Sequence, residues 1–254
     1  MNSQSSTEHF IAEDGVAVPA VTAEQMRELD RIATEETGPS LLQMMENAGR
    51  NMALLAMELM ASHRRTARVV VLAGSGGNGG GGICSARHLS NHGVTVSLCL
   101  AAPDGLSEAA AVQRKIFRFT NGNEVKASEL VNLESDLIID ALIGYGLKAG
   151  PHGTTAELIA WANKAKTPIL SLDVPSGIEA TTGQAPGEFI RPTWTMTLAL
   201  PKSGLLPQNT GQLFLADIGI PVSAFRRLVP RYVSPYDKRF WVGLKHGWNT
   251  NCAK

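Results

Sequence analysis

Val69-Val70-Val71-Leu72-Ala73-Gly74-Ser75-Gly76-Gly77-Asn78-Gly79-Gly80-Gly81-Gly82-Ile83 is the stretch that decides the fold. A β-branched run feeds a turn made almost wholly of glycine. The helical pattern Ser85-Ala86-Arg87-His88-Leu89 follows at once. Glycine lets a backbone come close to a bulky ligand. Strand, glycine turn and helix in this order aim backbone N–H groups and a helix N-terminus at an anion, usually a phosphate. Asn78 is the one side chain in the later part of the turn that can hydrogen-bond or coordinate. The combination points to a nucleotide-like ligand.

Upstream, Thr22-Ala23-Glu24-Gln25 reads as a capping box. Met26, Leu29, Ile32 and Ala33 then mark one helix face, and Gly38-Pro39 ends it. A second helix is expected over 40–62, with Leu41, Met45, Ala48, Met52, Leu55 and Leu59 on its buried side. Downstream the chain alternates. Strands are expected at 69–72, 94–100, 137–142, 169–173, 193–200 and 213–216, with a short one near 124–126. Helices are expected at 82–92, 109–121 and 155–164, and 201–210 reads as a loop. Strands apolar on both faces and separated by helices mean a mostly parallel sheet covered on both sides. The fold class is α/β: a three-layer α/β/α, Rossmann-like domain with two leading N-terminal helices.

The 254 residues suit one large domain or two small ones. We expect a single domain over 19–229, a flexible polar tail over 1–18 and a C-terminal tail over 230–254. The first 18 residues are neither a signal peptide nor an Arg-rich transit peptide. Lys and Arg (23) balance Asp and Glu (23), and no basic stripe marks a nucleic-acid surface. The longest apolar runs are strand-sized, so no membrane span is expected. Cys84, Cys99 and Cys252 match no metal spacing and read as free thiols of a reducing, cytoplasmic compartment. His88 and His92 are four apart on an expected helix and read as having no acidic or cysteine partner nearby, which argues against a transition-metal site.

Ligands of open α/β sheets sit outside the carboxyl ends of the strands. The glycine turn, Asp140 and Asp173-Val174-Pro175-Ser176-Gly177 all fall there, so Asn78, Asp140, Asp173 and Ser176 are expected at one crevice. Two strand-end carboxylates beside a glycine turn suit acid–base work. Asn78, Asp140 and Ser176 all ligate through oxygen, which suits a hard cation rather than zinc, and a monovalent one because few full charges are on offer. Strand-end aspartates also cap turns, and Ser176 reads equally as a cap. The glycines match G-x-G-x-x-G, but no acidic residue closes the second strand and no lysine follows, so neither a standard dinucleotide site nor a Walker loop is indicated.

On these residues the chain resembles the NAD(P)H-hydrate epimerase family, which includes the apolipoprotein A-I-binding protein. The resemblance spans 21–228. It is carried by Thr22-Ala23-Glu24-Gln25-Met26-Arg27-Glu28-Leu29-Asp30, Met45-Glu46-Asn47-Ala48-Gly49-Arg50, the glycine turn with Ala86-Arg87-His88-Leu89, Asp140-Ala141-Leu142-Ile143-Gly144, and Asp173-Val174-Pro175-Ser176-Gly177. It implies interconversion of the R and S epimers of hydrated NADH and NADPH, ahead of a separate dehydratase, by a homodimer with one potassium ion per subunit. The potassium ligands would be Asn78, Asp140 and Ser176. The hydrate would be contacted by Gly77, Asn78, Gly79, Gly80, Gly81, Gly144, Tyr145, Gly146, Leu147, Lys148, Ala149, Gly150 and Asp173. Asp140 and Asp173 are the expected catalytic acid and base. The apolar faces of the two leading helices are candidates for pairing protomers.

The family usually carries Asn-Asn-Gly-Gly-Asp-Gly at the turn. Here Gly77 and Gly81 replace its first Asn and its Asp. That departure keeps a second reading open: a non-catalytic nucleotide-binding or interaction module on the same scaffold. A conventional NAD(P)-dependent oxidoreductase is disfavoured, because no hydride-transfer residues are evident.

Overall fold

Val69, Val71 and Ala73 point to one face of the central strand, and Val70 and Leu72 to the other. Each set joins a separate buried cluster. This strict alternation with both faces apolar is what a covered parallel strand requires. The computed structural model describes residues 9–61 and 66–247. In chain order the elements are β1 (His9–Ala12), β2 (Ala17–Pro19), α1 (Ala23–Arg31), α2 (Leu41–Leu59), β3 (Arg68–Ala73), α3 (Gly77–Asn91), β4 (Thr95–Leu100), α4 (Glu108–Phe117), β5 (Asn123–Val125), β6 (Leu137–Ala141), α5 (Gly153–Lys164), β7 (Ile169–Leu172), β8 (Trp194–Leu198), α6 (Pro207–Thr210), β9 (Gln212–Ala216), α7 (Val222–Leu228) and β10 (Trp241–Gly247).

One sheet runs β2-β1-β10-β9-β8-β7-β6-β3-β4-β5. The pairs from β9 to β5 are parallel, and those among β2, β1, β10 and β9 are antiparallel. Residues of α2, α3 and α4 pack on one face and residues of α5 on the other. The α/β, three-layer expectation therefore stands.

The ends differ from expectation. Part of the polar segment read as a flexible tail forms β1 and β2, and part of the C-terminal tail forms β10. Phe10, Val18, Trp241 and Leu244 are buried, and these side chains hold the strands down. Four- and three-residue strands with polar neighbours carry too little periodicity to read in isolation. The 201–210 segment also holds the short α6, with Pro207 at its start.

Helix α1 opens with the capping box expected at Thr22 and Gln25, and α2 opens with a second one, Ser40 with Gln43. After α1 the backbone continues as a π-helical segment, Ile32–Thr37, and closes on Gly38 at φ 102°. Such segments are rare and concentrate at functional sites. Met26, Leu29, Met44, Met45 and Met52 of α1 and α2 are buried within the protomer, whereas Leu41, expected on the buried side of α2, is exposed together with Leu42 and Leu54. Among the described residues no helix is long and apolar enough to cross a membrane.

Candidate functional site

The chain moves from β3 outward to β4 and β5, then returns to place β6 on the other side of β3. The switch point between β3 and β6 is where an open α/β sheet leaves a crevice at its carboxyl edge. The glycine turn leaves β3 there, and Asp140 stands near the end of β6.

Helix α3 starts at Gly77, five residues before the position the sequence suggests. Five glycines among the first six helical residues run against propensity. Packing explains them. A Cβ on Gly79 would lie 1.9 Å from the Gly74 carbonyl oxygen, one on Gly82 2.4 Å from Ala141 Cβ, and one on Gly80 2.5 Å from Met45. These glycines seat the helix against the β3 turn, β6 and α2. Gly79 and Gly80 are buried by that contact. Gly76, Gly77 and Asn78 face a cavity, so the positive end of α3 opens onto it.

Asp140 is fully buried. Its Oδ1 accepts from Ser176 Oγ (2.5 Å) and Leu142 N (3.3 Å), and its Oδ2 from Ser171 Oγ (2.8 Å) and Ser176 N (3.0 Å). Burial pushes its carboxyl above the ordinary range, against the pull of these donors. Ser176 also accepts from Ile143 N (2.8 Å), which ties the β6 and β7 loops together. Neither Asp140 nor Ser176 lines the cavity.

Asp173 sits one strand over, in a different setting. Its backbone is left-handed at φ 69°, a conformation that non-glycine residues adopt rarely and at some cost. Its Oδ2 accepts from Tyr145 N (3.0 Å), and its Oδ1 forms a very short ion pair with Lys202 Nζ. Lys202 is fully buried and also donates to Leu198 O (2.9 Å). Tyr145 OH donates to Asp30 Oδ2 of α1 at 2.5 Å. Burial raises both the Asp30 carboxyl and the Tyr145 phenol.

The cavity has a volume of ≈ 670 Å³. Its polar residues include Asp30, Asn78, Tyr145, Asp173 and Lys202, with Arg27, Arg31 and Thr34 along α1 and its continuation. Leu41, Met44, Met45, Ala48, Leu172, Leu198 and Ile218 supply an apolar wall. Of the residues expected to contact a ligand, Gly77, Asn78, Gly81, Gly144, Tyr145, Gly146 and Asp173 line it. Gly79 and Gly80 do not, for the packing reason above, and Leu147, Lys148, Ala149 and Gly150 lie further along the loop, with Lys148 exposed.

Asp30 and Lys202 are residues that motif reading passes over. Lys202 follows β8 as Asp140 and Asp173 mark β6 and β7, so the carboxyl-edge rule extended by one strand finds it. Asp30 carries a weaker signal, one acid beside the buried stripe of an amphipathic helix.

Asn78 stands out chemically. Its Oδ1 and Nδ2 are buried, with no hydrogen-bond partner. A buried amide left unpaired is costly, and such groups are uncommon in native structures. A buried oxygen donor without a partner fits a low-charge hard cation or a donor of a bound ligand.

The His88 expectation needs correcting. Among the described residues Glu46, Cys84 and His88 converge. Cys84 stands four residues before His88 on α3 itself, within reach of sequence reading, whereas Glu46 comes from α2, far away in sequence. Arg87 Nη2 already bonds Glu46 and lies 3.3 Å from Cys84 Sγ and 3.4 Å from His88 Nε2. The protein's own cation thus fills this cluster and clasps α2 to α3. Burial pushes the Glu46 carboxyl up, but hydrogen bonds from Arg87, His88 and Cys84 outweigh it and hold it at about 2. Burial also lifts the Cys84 thiol to about 12 and the Cys99 thiol to about 11; both are free. Cys252 lies outside the described residues.

Comparison with known proteins fits this architecture. The family described as YjeF-related protein N-terminus matches residues 41–204. An NAD(P)H-hydrate epimerase of Dehalogenimonas lykanthroporepellens is 48% identical over 236 residues, 92% of this chain and 96% of its own length. One from Weissella koreensis is 38% identical, covering 79% of this chain and 91% of its own. A bifunctional NAD(P)H-hydrate repair enzyme of Moorella thermoacetica is 37% identical over 79% of this chain but 40% of its own length. The crystal structure of a yeast protein superposes with a TM-score of 0.78 at 21% identity, covering 88% of this chain and 99% of that one, which shows the shared fold.

Proposed function

The chain belongs to the NAD(P)H-hydrate epimerase family, and from that membership we propose that it is an isomerase interconverting the R and S epimers of hydrated NADH and NADPH. The observation that carries the reading is the cavity itself. It joins the positive end of α3, suited to the dinucleotide's phosphates, to an acid–base cluster of Asp173, Lys202, Tyr145 and Asp30. The apolar wall from α2 suits a flat ring.

Epimerisation inverts the carbon bearing the added hydroxyl. A proton reaches that hydroxyl, and the C–O bond breaks with its electron pair leaving on water. The ring nitrogen's lone pair supports the resulting cation. Water then adds to the opposite face and gives up a proton. No net atom or electron is gained or lost, and the protein must supply one proton and accept one. Asp173 lines the cavity, ion-paired with Lys202, and fits one of these roles.

One potassium ion belongs to the same proposal. Asn78, Asp140 and Ser176 would hold it, and the unpartnered Asn78 amide supports this assignment. When bound, it supplies a fixed positive charge beside the crevice. Asp140 then serves as a rigid anchor between the β6 and β7 loops. A homodimer, coupling to a separate dehydratase and a cytoplasmic setting complete the proposal. The bifunctional relatives support the coupling, the free Cys84 and Cys99 thiols support a reducing compartment, and exposed Leu41 and Leu42 support self-association.

The test is NMR or chiral chromatography of pure R-hydrate incubated with the protein in potassium buffer. Interconversion well above the spontaneous rate is expected. Binding without acceleration would instead favour the non-catalytic module suggested by Gly81.

A further inference from the structure

Resting on the epimerase reading, we propose that Asp30 of α1, addressed through the Tyr145 phenol, is the second proton-transfer group of the site and takes the role that sequence assigns to Asp140. Inversion at carbon needs protons handled on two faces of a ring, so one carboxylate at the sheet edge is not enough. Asp140 is poorly placed to help. Four donors occupy its oxygens and it does not line the cavity.

Tyr145 links the two acids that do line it. Its backbone N–H bonds Asp173 at one end, and its hydroxyl bonds Asp30 at the other. The two carboxylates are therefore held one tyrosine side chain apart, on different walls of one cavity. One belongs to the β7 loop, the other to a helix that packs over the sheet edge.

The charges around Asp30 are specific. On its own helix Arg27 and Arg31 line the same cavity, and Arg31 is engaged by Glu28, Glu35 and Glu36. Tyr145 faces it from the β6 loop, Asp173 from the β7 loop and Lys202 from the β8 loop. On α7, which packs beside α1, Arg226 turns to Tyr232 O and Arg227 to Glu36. Burial raises the Asp30 carboxyl, while Tyr145 and Lys202 pull it back. A buried carboxyl whose affinity for its proton is raised, and which lines the cavity, is suited to deliver a proton to a departing hydroxyl. The π-helical segment that begins just after Arg31 sets the register of this wall.

The experiment follows R-to-S conversion by the full chain across pH, with Asp30→Asn, Asp30→Glu and Tyr145→Phe variants. Asp30→Asn is expected to lower kcat about 100-fold with KM within a few-fold, and to remove the fall in rate on the alkaline side. Asp30→Glu should restore part of that limb. Tyr145→Phe deletes a donor that lowers the Asp30 pKa, so its alkaline limb should move to higher pH. A uniform loss of rate at every pH, or Asp30→Asn turnover equal to wild type, overturns the inference. If Asp30→Asn fails to fold, an alkaline limb unmoved in Tyr145→Phe overturns it as well. Failure of the wild-type protein to interconvert the epimers would strike the epimerase reading itself, a separate outcome.

Discussion

Asp140 and Asp173 stand at the carboxyl ends of adjacent parallel strands, β6 and β7, and look alike in sequence: an apolar run ending in an acid. In the folded protein they are opposites. Asp140 is enclosed by Ser171, Ser176 and the Leu142 amide. Asp173 is forced into a left-handed backbone, paired with a buried lysine and turned to the cavity. The first arrangement satisfies a charge and fixes two loops. The second holds a charge ready beside empty space. Partners supplied by other segments, not strand position, divide the labour.

The comparison breaks most easily at Asp173. Asp173→Asn should cost about 10²–10⁴-fold in epimerisation rate, the usual range for a lost acid–base group. It also strands Lys202, a change that typically destabilises by about 3–5 kcal/mol, so a melting curve must accompany the assay. Full activity in this variant would remove Asp173 from the chemistry. Asp140→Asn should do the reverse. We expect a loss of about 2 kcal/mol in stability from donors left mismatched, measured by denaturant unfolding, and a smaller loss of turnover at permissive temperature. Equal loss of turnover at unchanged stability would make the two aspartates equivalent after all.

Asn78→Ala sharpens the contrast. Wild-type activity should rise with potassium at fixed ionic strength, and the variant should lose that response together with roughly tenfold in hydrate affinity, equivalent to about 1.4 kcal/mol. A potassium response retained in the variant would place the ion elsewhere. The smallest expected effect is at Gly81, where an added Cβ meets only Leu172 Cδ2, at 2.9 Å. If that side chain yields, Gly81→Asp should tighten hydrate binding by up to about tenfold through a new acceptor. Isothermal titration with the R-hydrate reads this directly. Unchanged or weaker binding would show that the missing carboxylate is not what limits this cavity.

Much of this was legible in sequence because it rests on local patterning. The central strands from Val69 onward, the capping box at Thr22, and the crevice at the carboxyl ends of the strands follow from periodicity, capping chemistry and the crossover rule. What escaped depended on partners distant in the chain. The glycines of α3 look like a turn in sequence because their reason for being helical lies in Ala141 and Met45. The Glu46–Arg87–His88 clasp joins two helices about 40 residues apart, and Asp30 meets Tyr145 across 115 positions. Short strands such as β1 and β10 acquire meaning only once they pair.

That last pairing has a consequence for timing. β1 reaches the sheet only through β10, with Phe10 opposite His246. At synthesis rates of ~5–20 residues per second, the opening strand waits at least ten seconds or so for its partner to be made. Phe10 shares a buried cluster with Met26 and Leu29 of α1 and with Leu244 of β10. The helix that carries Asp30 is therefore fully seated only when the closing strand arrives. A ribosome-bound chain halted before Trp241 should hold its glycine helix and its Asp140 anchor in place, yet lack a firmly docked wall opposite Asp173, so that competence to turn over comes with the last piece of chain rather than growing with each strand.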